Sequence, residues 1–143
     1  MKRKFIWYIS LILWMGLIFY SSSITGTVST GSSKGIIYSL FKLINVEIDL
    51  NTMEILNYIF RKFMHISVFF ILALLFFNSL RVSDIKNRLY RYTFIFCYIY
   101  ACSDEIHQLF TGRTGMFLDT LIDSIGILLF IEVHYLISKK TRH

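Results

Sequence analysis

The sequence contains no proline, and only 17% of its 143 residues carry a charge. A soluble domain of this size would usually carry more charge and would have much shorter apolar runs. Hydrophobic residues instead make up 55% of the chain, aromatic residues make up 17%, and the mean hydropathy is +0.59. These values exclude an ordinary soluble domain and indicate a protein that lies in a membrane.

Cysteine is also scarce, with only Cys97 and Cys102. Five positions apart on one helix, the two side chains lie about 140° apart around its axis, so they cannot form a disulfide with each other without strain. Their spacing matches no zinc or redox motif. We expect both to be small packing residues.

Four apolar stretches are long enough to cross the hydrocarbon core of a bilayer, which needs about 20 helical residues. They cover residues 5–24, 63–80, 90–110 and 117–137. We therefore predict an all-α membrane protein. Its single domain, residues 1–143, would be a compact bundle of four transmembrane helices.

Basic residues are distributed unevenly between the two sides of this predicted bundle. The side that carries both termini holds ten Lys and Arg residues, and the opposite side holds five. The positive-inside rule then predicts a cell-membrane protein whose N- and C-termini are both cytoplasmic. The net charge of +6 comes mostly from these basic residues, which set the topology. No basic stripe interleaves with exposed aromatic residues, so we expect no nucleic-acid partner.

The predicted outer loop, residues 25–60, has local patterns of its own. Apolar residues recur at helical spacing between positions 36 and 44, which predicts a short amphipathic helix in the outer membrane interface. Asn51 or Thr52 is placed to cap a further helix that runs into the second span. The stretch rich in Ser, Thr and Gly at residues 21–34 is predicted to be flexible.

A dense group of polar residues lies where the third and fourth spans meet. By insertion scales, each ionisable group at the bilayer centre costs about 2.5–3.5 kcal/mol, so residues of this kind in a span indicate function. The first two spans bring polar groups to the same depth, at their outer ends, which predicts one outward-facing site. The predicted site residues are Ser22, Arg61, Lys62, His65, Asp104, Glu105, Gln108, Arg113, Asp119 and Asp123.

Helical spacing places these polar residues on shared faces. Asp104 and Gln108 are four residues apart and lie on one face, and so do Asp119 and Asp123. Gly126 follows at the next turn, where the missing side chain would let a neighbouring helix approach closely. Pairing of two copies through Gly126 or through the amphipathic helix is a further expectation.

These residues together resemble the VanZ-like membrane proteins. The resemblance covers most of the chain and rests on Arg61-Lys62-x-x-His65, Asp104-Glu105-x-x-Gln108, Arg113 and Asp119-x-x-x-Asp123-x-x-Gly126. Members are associated with low-level resistance to glycopeptides such as teicoplanin, so the resemblance implies a function in the cell envelope. The proline that usually precedes the Gly-Arg turn is missing from this sequence.

The first interpretation of the site is an enzyme that acts on an envelope lipid or a lipid-linked cell-wall precursor. Glu105 or Asp104 would be its general acid or base, and His65 would be a second. Arg113, with Arg61 or Lys62, would hold a phosphate or carboxylate. The remaining ligand contacts would come from Ser22, Gln108, Asp119 and Asp123.

Three other interpretations use the same residues. A non-catalytic binder or lipid-moving protein would mask or relocate such a head group. The carboxylates and His65 could also hold a divalent cation, but no metal-ligand spacing motif is present, so we predict neither a metal nor another cofactor. A purely structural cluster of buried ion pairs is the last alternative; such pairs often add little net stability, which favours a site.

Overall fold

We describe the protein from a computed structural model. It describes residues 2–24, 26–83, 85, 87–111 and 117–141, and for residues 2, 3 and 117 it describes the backbone alone. These residues form five α-helices and no β-strand, which confirms the predicted all-α class. The helices are α1 (Lys2–Ser23), α2 (Gly26–Leu43), α3 (Leu50–Val82), α4 (Leu89–Phe110) and α5 (Phe117–Lys140).

Four of the helices, α1, α3, α4 and α5, pack side by side in alternating directions. The Nε1 of Trp14 in α1 donates to the carbonyl of Val68 in α3, 3.1 Å away. Closer to the start of α1, the Tyr8 hydroxyl meets Ser83 beyond the end of α3, so these two helices are antiparallel. The hydroxyl of Tyr90 lies 2.9 Å from Nδ1 of His134, near the start of α4 and the end of α5. The start of α1 and the end of α5 therefore lie at the same end of the bundle.

Three of the described helices are long and apolar enough to cross a membrane: α1 over Lys4–Ser23, α3, and α5 over Leu118–Lys140. The prediction of four such helices is wrong for residues 90–110, which form most of α4. This helix has 22 residues, but it contains Arg91, two carboxylates and four tyrosines, which lower its hydropathy. It packs against α1, α3 and α5 instead of standing alone.

The outward faces of the helices carry the apolar residues that membrane lipid would contact. Ile12 and Leu13 of α1 are each 68% exposed, and Ile99 of α4 is 63% exposed. A cluster of buried residues fills the inside of the bundle, including Phe69, Leu72, Cys97, Ala101 and Ile127. Both cysteines are free, and Cys97 is fully buried among these residues, as expected of a packing residue.

The long helix α3 extends beyond the bundle and meets α2. Its 33 residues span about 50 Å at the usual helical rise. Its first half packs against α2 through polar contacts. Ser33 donates to the side chain of Asn57, Arg61 donates to Thr30 at 3.3 Å, and Lys34 forms an ion pair with Glu54.

Residues 21–34, predicted to be flexible, are mostly helical. The described part of this stretch ends α1 and begins α2. Serine hydroxyls bond back to carbonyls one turn earlier, as Ser32 does to Val28 at 3.0 Å and Ser33 does to Ser29 at 3.1 Å. Through these bonds the serine hydroxyls find partners inside the helix. They therefore do not draw the backbone groups into non-helical hydrogen bonds. The amphipathic helix predicted for residues 36–44 is therefore the second half of a longer helix.

The cap of α3 is Asp49, so the prediction of Asn51 or Thr52 as the capping residue is wrong. The Asp49 carboxylate accepts from the backbone N–H groups of both residues, at 3.1 and 3.2 Å. Hydrogen bonds from the side chain and backbone of Thr52 lower the pKa of Asp49 below its usual range. The carboxylate is therefore charged at neutral pH, beside the positive end of the helix dipole.

Gly126 allows a close approach between α3 and α5, as its position in the sequence predicted. A Cβ atom at this position would lie 2.2 Å from the carbonyl oxygen of Ile66 and 3.1 Å from the backbone nitrogen of Phe70. Backbone atoms cannot move aside as the end of a flexible side chain can. The two helices can therefore pack at this distance only with glycine at position 126.

The first prediction concerns this contact. Gly126→Ala should destabilise the protein by about 1–3 kcal/mol, because the new methyl group forces α3 and α5 apart. Gly16→Ala is the matched control, since a Cβ there has no atom within 4 Å among the described residues. Thermal unfolding in detergent, followed by helical circular dichroism, measures both. Equal midpoints for the two variants would contradict the packing role.

Candidate functional site

The candidate site lies at the end of the bundle opposite to the start of α1 and the end of α5. Its residues come from the end of α1, the middle of α3, the end of α4 and the first turns of α5. We call six of them the polar cluster: Ser22, His65, Asp104, Glu105, Gln108 and Asp123. All of these are buried except His65, whose side chain is 16% exposed. The structure thus brings together residues that the sequence placed at one depth.

Asp104 is held by hydrogen bonds on both of its oxygens. The Ser22 hydroxyl donates to Oδ1 at 2.6 Å, and the Gln108 amide donates to Oδ2 at 2.9 Å. The same amide nitrogen lies 3.3 Å from Oε1 of Glu105. Gln108 therefore bridges two neighbouring carboxylates on α4, and Ser22 fixes α1 against them.

His65 and Asp123 form the second half of the polar cluster. Nδ1 of His65 donates to Oδ1 of Asp123 at 2.9 Å, joining α3 to α5. The Asp123 side chain has no exposed surface. Its other oxygen, Oδ2, is buried and has no hydrogen-bond partner among the described residues. Buried carboxylate oxygens are normally satisfied, so this atom needs an explanation.

Arg61 and Lys62 are adjacent in sequence, but their side chains lie in different places. Lys62 forms an ion pair with Asp119 at the start of α5, and its ammonium lies 5.1 Å from the ring centre of Tyr58. Arg61 donates instead to Thr30 of α2. Lys62 and Asp119 thus pair with each other beside the polar cluster. Of the two adjacent cations, Arg61 is the one that lies near α2.

A cavity of about 340 Å³ opens beside the polar cluster, between α1, α2, α3 and α4. Its apolar lining includes Trp14, Ile18 and Phe69. Its polar lining comes from the polar cluster, from two serine-rich segments and from Arg61. These polar residues are Ser21, Ser22, Ser29, Ser32, Ser33, Arg61, His65, Asp104 and Gln108.

The sequence interpretation missed the contribution of α2 to this cavity. Ser29, Ser32 and Ser33 recur at positions that share one helical face, which is a signal for a helix. The composition of this stretch instead predicts a flexible segment. His107 was also missed: its Nε2 lies 3.0 Å from the Ser23 hydroxyl, and its ring stacks on Phe19. The predicted site residue Arg113 lies outside the described residues.

Fold and site together define an all-α membrane protein with a buried polar cluster at one end. The sequence matches the family model described as VanZ/LLP1 over residues 5–138. The chain belongs to this family, which confirms the resemblance. Comparisons with curated proteins and with solved structures found no match.

The second prediction concerns the hydrogen bond between Ser22 and Asp104. Ser22→Ala removes the donor to a buried carboxylate oxygen, so it should destabilise the protein by about 1–3 kcal/mol. Ser39→Ala is the control, because the exposed Ser39 hydroxyl bonds only to the Gly35 carbonyl of its own helix among the described residues, and it should change stability by about 0.5 kcal/mol or less. Thermal unfolding in detergent compares them. Equal effects would show that the bond does not hold α1 in place.

Proposed function

We propose that this VanZ-like protein binds a phosphate-bearing lipid or lipid-linked cell-wall precursor of the cell envelope. The head group would lie against the polar cluster and the serines of α2, and part of the lipid chain would lie along the apolar wall. Binding would mask or relocate the head group, which is how such a protein could contribute to low-level teicoplanin resistance.

The observation that carries this proposal is the mixed lining of the cavity. Trp14, Ile18 and Phe69 offer apolar surface, and other lining residues offer hydroxyl, amide, carboxylate and guanidinium groups. A cavity for a wholly apolar ligand would not need these polar groups. An amphiphile satisfies both parts of the lining at once.

Arg61 is the residue best suited to the anionic part of the ligand. It lines the cavity, and its guanidinium can bind two phosphate or carboxylate oxygens together. Serine side chains of α1 and α2 also line the same cavity. The hydroxyls of Ser22, Ser32 and Ser33 already donate within the protein, so their oxygens would accept from the head group. Asp104 can accept from an amine or hydroxyl of the head group, which favours a ligand with both kinds of group.

We further propose that the polar cluster faces the outer leaflet. The opposite end of the bundle, where α1 begins and α5 ends, carries Arg81, Arg91, Lys139 and Lys140. Basic residues of this kind are enriched on the cytoplasmic side. With that end inside, both termini are cytoplasmic and the cavity is accessible to ligands of the outer leaflet.

The third prediction tests ligand binding. Arg61→Gln should weaken binding of a short-chain anionic phospholipid by about tenfold, because a charged hydrogen bond is lost. Lys42→Gln removes an exposed cation from α2 outside the cavity and is the matched control. Titration of the full-length protein in detergent, read by native mass spectrometry, gives both affinities.

In cells, the same two variants can be compared for teicoplanin susceptibility. We expect Arg61→Gln to lose protection and Lys42→Gln to keep it. Equal lipid affinities for the two variants would overturn the proposed role of Arg61. Equal susceptibility of cells with and without the gene would overturn the connection to resistance.

An enzyme is the second candidate, and the bond between His65 and Asp123 favours it. A carboxylate on Nδ1 orients an imidazole for proton transfer through its other nitrogen. His65 also lines the cavity, so the ring lies beside the proposed head group. Asp104, by contrast, is already bonded on both oxygens, which makes it a less suitable acid or base than the sequence suggested.

The fourth prediction separates binding from catalysis. Envelope lipids incubated with the wild-type protein should show a new mass if the protein is an enzyme, and His65→Gln should abolish that product. His107→Gln is the control, since His107 lies near the site but does not line the cavity. Unchanged lipid masses with the wild type would exclude catalysis on the lipids tested.

A further inference from the structure

We propose that His65, Glu105 and Asp123 form a binding site for a divalent transition-metal ion. One ring nitrogen and one oxygen from each carboxylate lie within 4.8 Å of one another. The three residues come from α3, α4 and α5, and both carboxylates are buried. The lipid cavity borders this site through His65 but does not include the two carboxylates among its lining residues.

The spacing of the three atoms suits one ion. Ligand atoms that lie about 2.0–2.2 Å from a common Zn²⁺ ion lie about 3.4 Å from one another in a tetrahedral site. The three side-chain atoms lie within 4.8 Å of one another, so small side-chain movements would bring them to that distance. No large backbone movement is then needed for them to bind a single ion.

Asp123 supplies a second, independent observation. Its side chain is fully buried, and Oδ2 has no hydrogen-bond partner among the described residues. The bond from His65 reaches only Oδ1. A buried carboxylate oxygen that has lost its contacts with water and has no other partner destabilises the folded state. A cation bound to the carboxylate would supply the missing interaction.

The donor set indicates the class of metal. One imidazole and two carboxylates suit Zn²⁺ or Mn²⁺, whereas Mg²⁺ and Ca²⁺ prefer ligands that are all oxygen. The two carboxylates would balance the charge of a divalent ion. Three protein ligands also leave a position for water or for a ligand atom, as in catalytic zinc sites.

Gln108 would be an outer partner of this site. Its amide nitrogen lies 3.3 Å from Oε1 of Glu105 and 2.9 Å from Oδ2 of Asp104. Hydrogen bonds of this kind orient metal-ligating carboxylates. The network of Ser22, Asp104 and Gln108 would therefore hold Glu105 in place, and the ion would connect α4 to the pair formed by α3 and α5.

The fifth prediction is a metal-binding measurement on the full-length protein in detergent. After chelator treatment and addition of Zn²⁺ or Mn²⁺, the wild type should retain about one equivalent by elemental mass spectrometry. Asp123→Asn and His65→Gln should retain at least tenfold less. Asp119→Asn is the matched control, because Asp119 lies one turn earlier on α5 and pairs with Lys62; it should retain the metal.

A thermal shift of the wild type gives a second test that needs no variant. The ion should raise the unfolding midpoint and the chelator should lower it, since binding to the folded state alone stabilises it. No retained metal and no shift would overturn the proposal, and so would equal loss from Asp119→Asn and Asp123→Asn. Retention of Mg²⁺ or Ca²⁺ but not of Zn²⁺ or Mn²⁺ would overturn the metal class.

The metal site does not depend on lipid binding, and the same samples distinguish the two. Metal-free wild-type protein that still binds phospholipid would leave the lipid proposal in place without the metal. Protein that retains one equivalent of metal but binds no phospholipid would leave the metal proposal in place without the lipid proposal.

Discussion

The site depends on the close approach of α3 and α5 at Gly126. These helices run in the same direction, and the backbone of Ile66 occupies the space where a side chain at position 126 would stand. His65 and Asp123 lie within one turn of this contact. The absence of one methyl group therefore sets the distance at which an imidazole and a carboxylate can meet inside the bundle.

The other two bundle helices bring the remaining polar residues to this pair. α4 carries a polar face whose two carboxylates share the amide of Gln108. The Ser22 hydroxyl joins the end of α1 to the same face. This polar face also explains why α4 is less apolar than its neighbours: a helix that buries carboxylates against three others does not have to be apolar all round.

Much of this arrangement could be predicted from the sequence. Residue spacing predicted the shared faces of α4 and α5, and apolar length predicted α1, α3 and α5. Composition is misleading for α2, because serine is typical of loops although its hydroxyl can also bond within a helix. The separate directions of Arg61 and Lys62, and the unpartnered oxygen of Asp123, depend on tertiary packing and are not visible in a residue pattern.

The weakly buried α2 has a consequence for how the family could diversify. Its only buried residues are Ser33 and Ile37. The main buried core cluster comes from the other four helices. One wall of the cavity can therefore accept substitutions with little effect on the packing that keeps the bundle folded. If the cavity binds a ligand as proposed, a change in the shape or hydroxyl pattern of this one helix would alter ligand preference at little cost in stability.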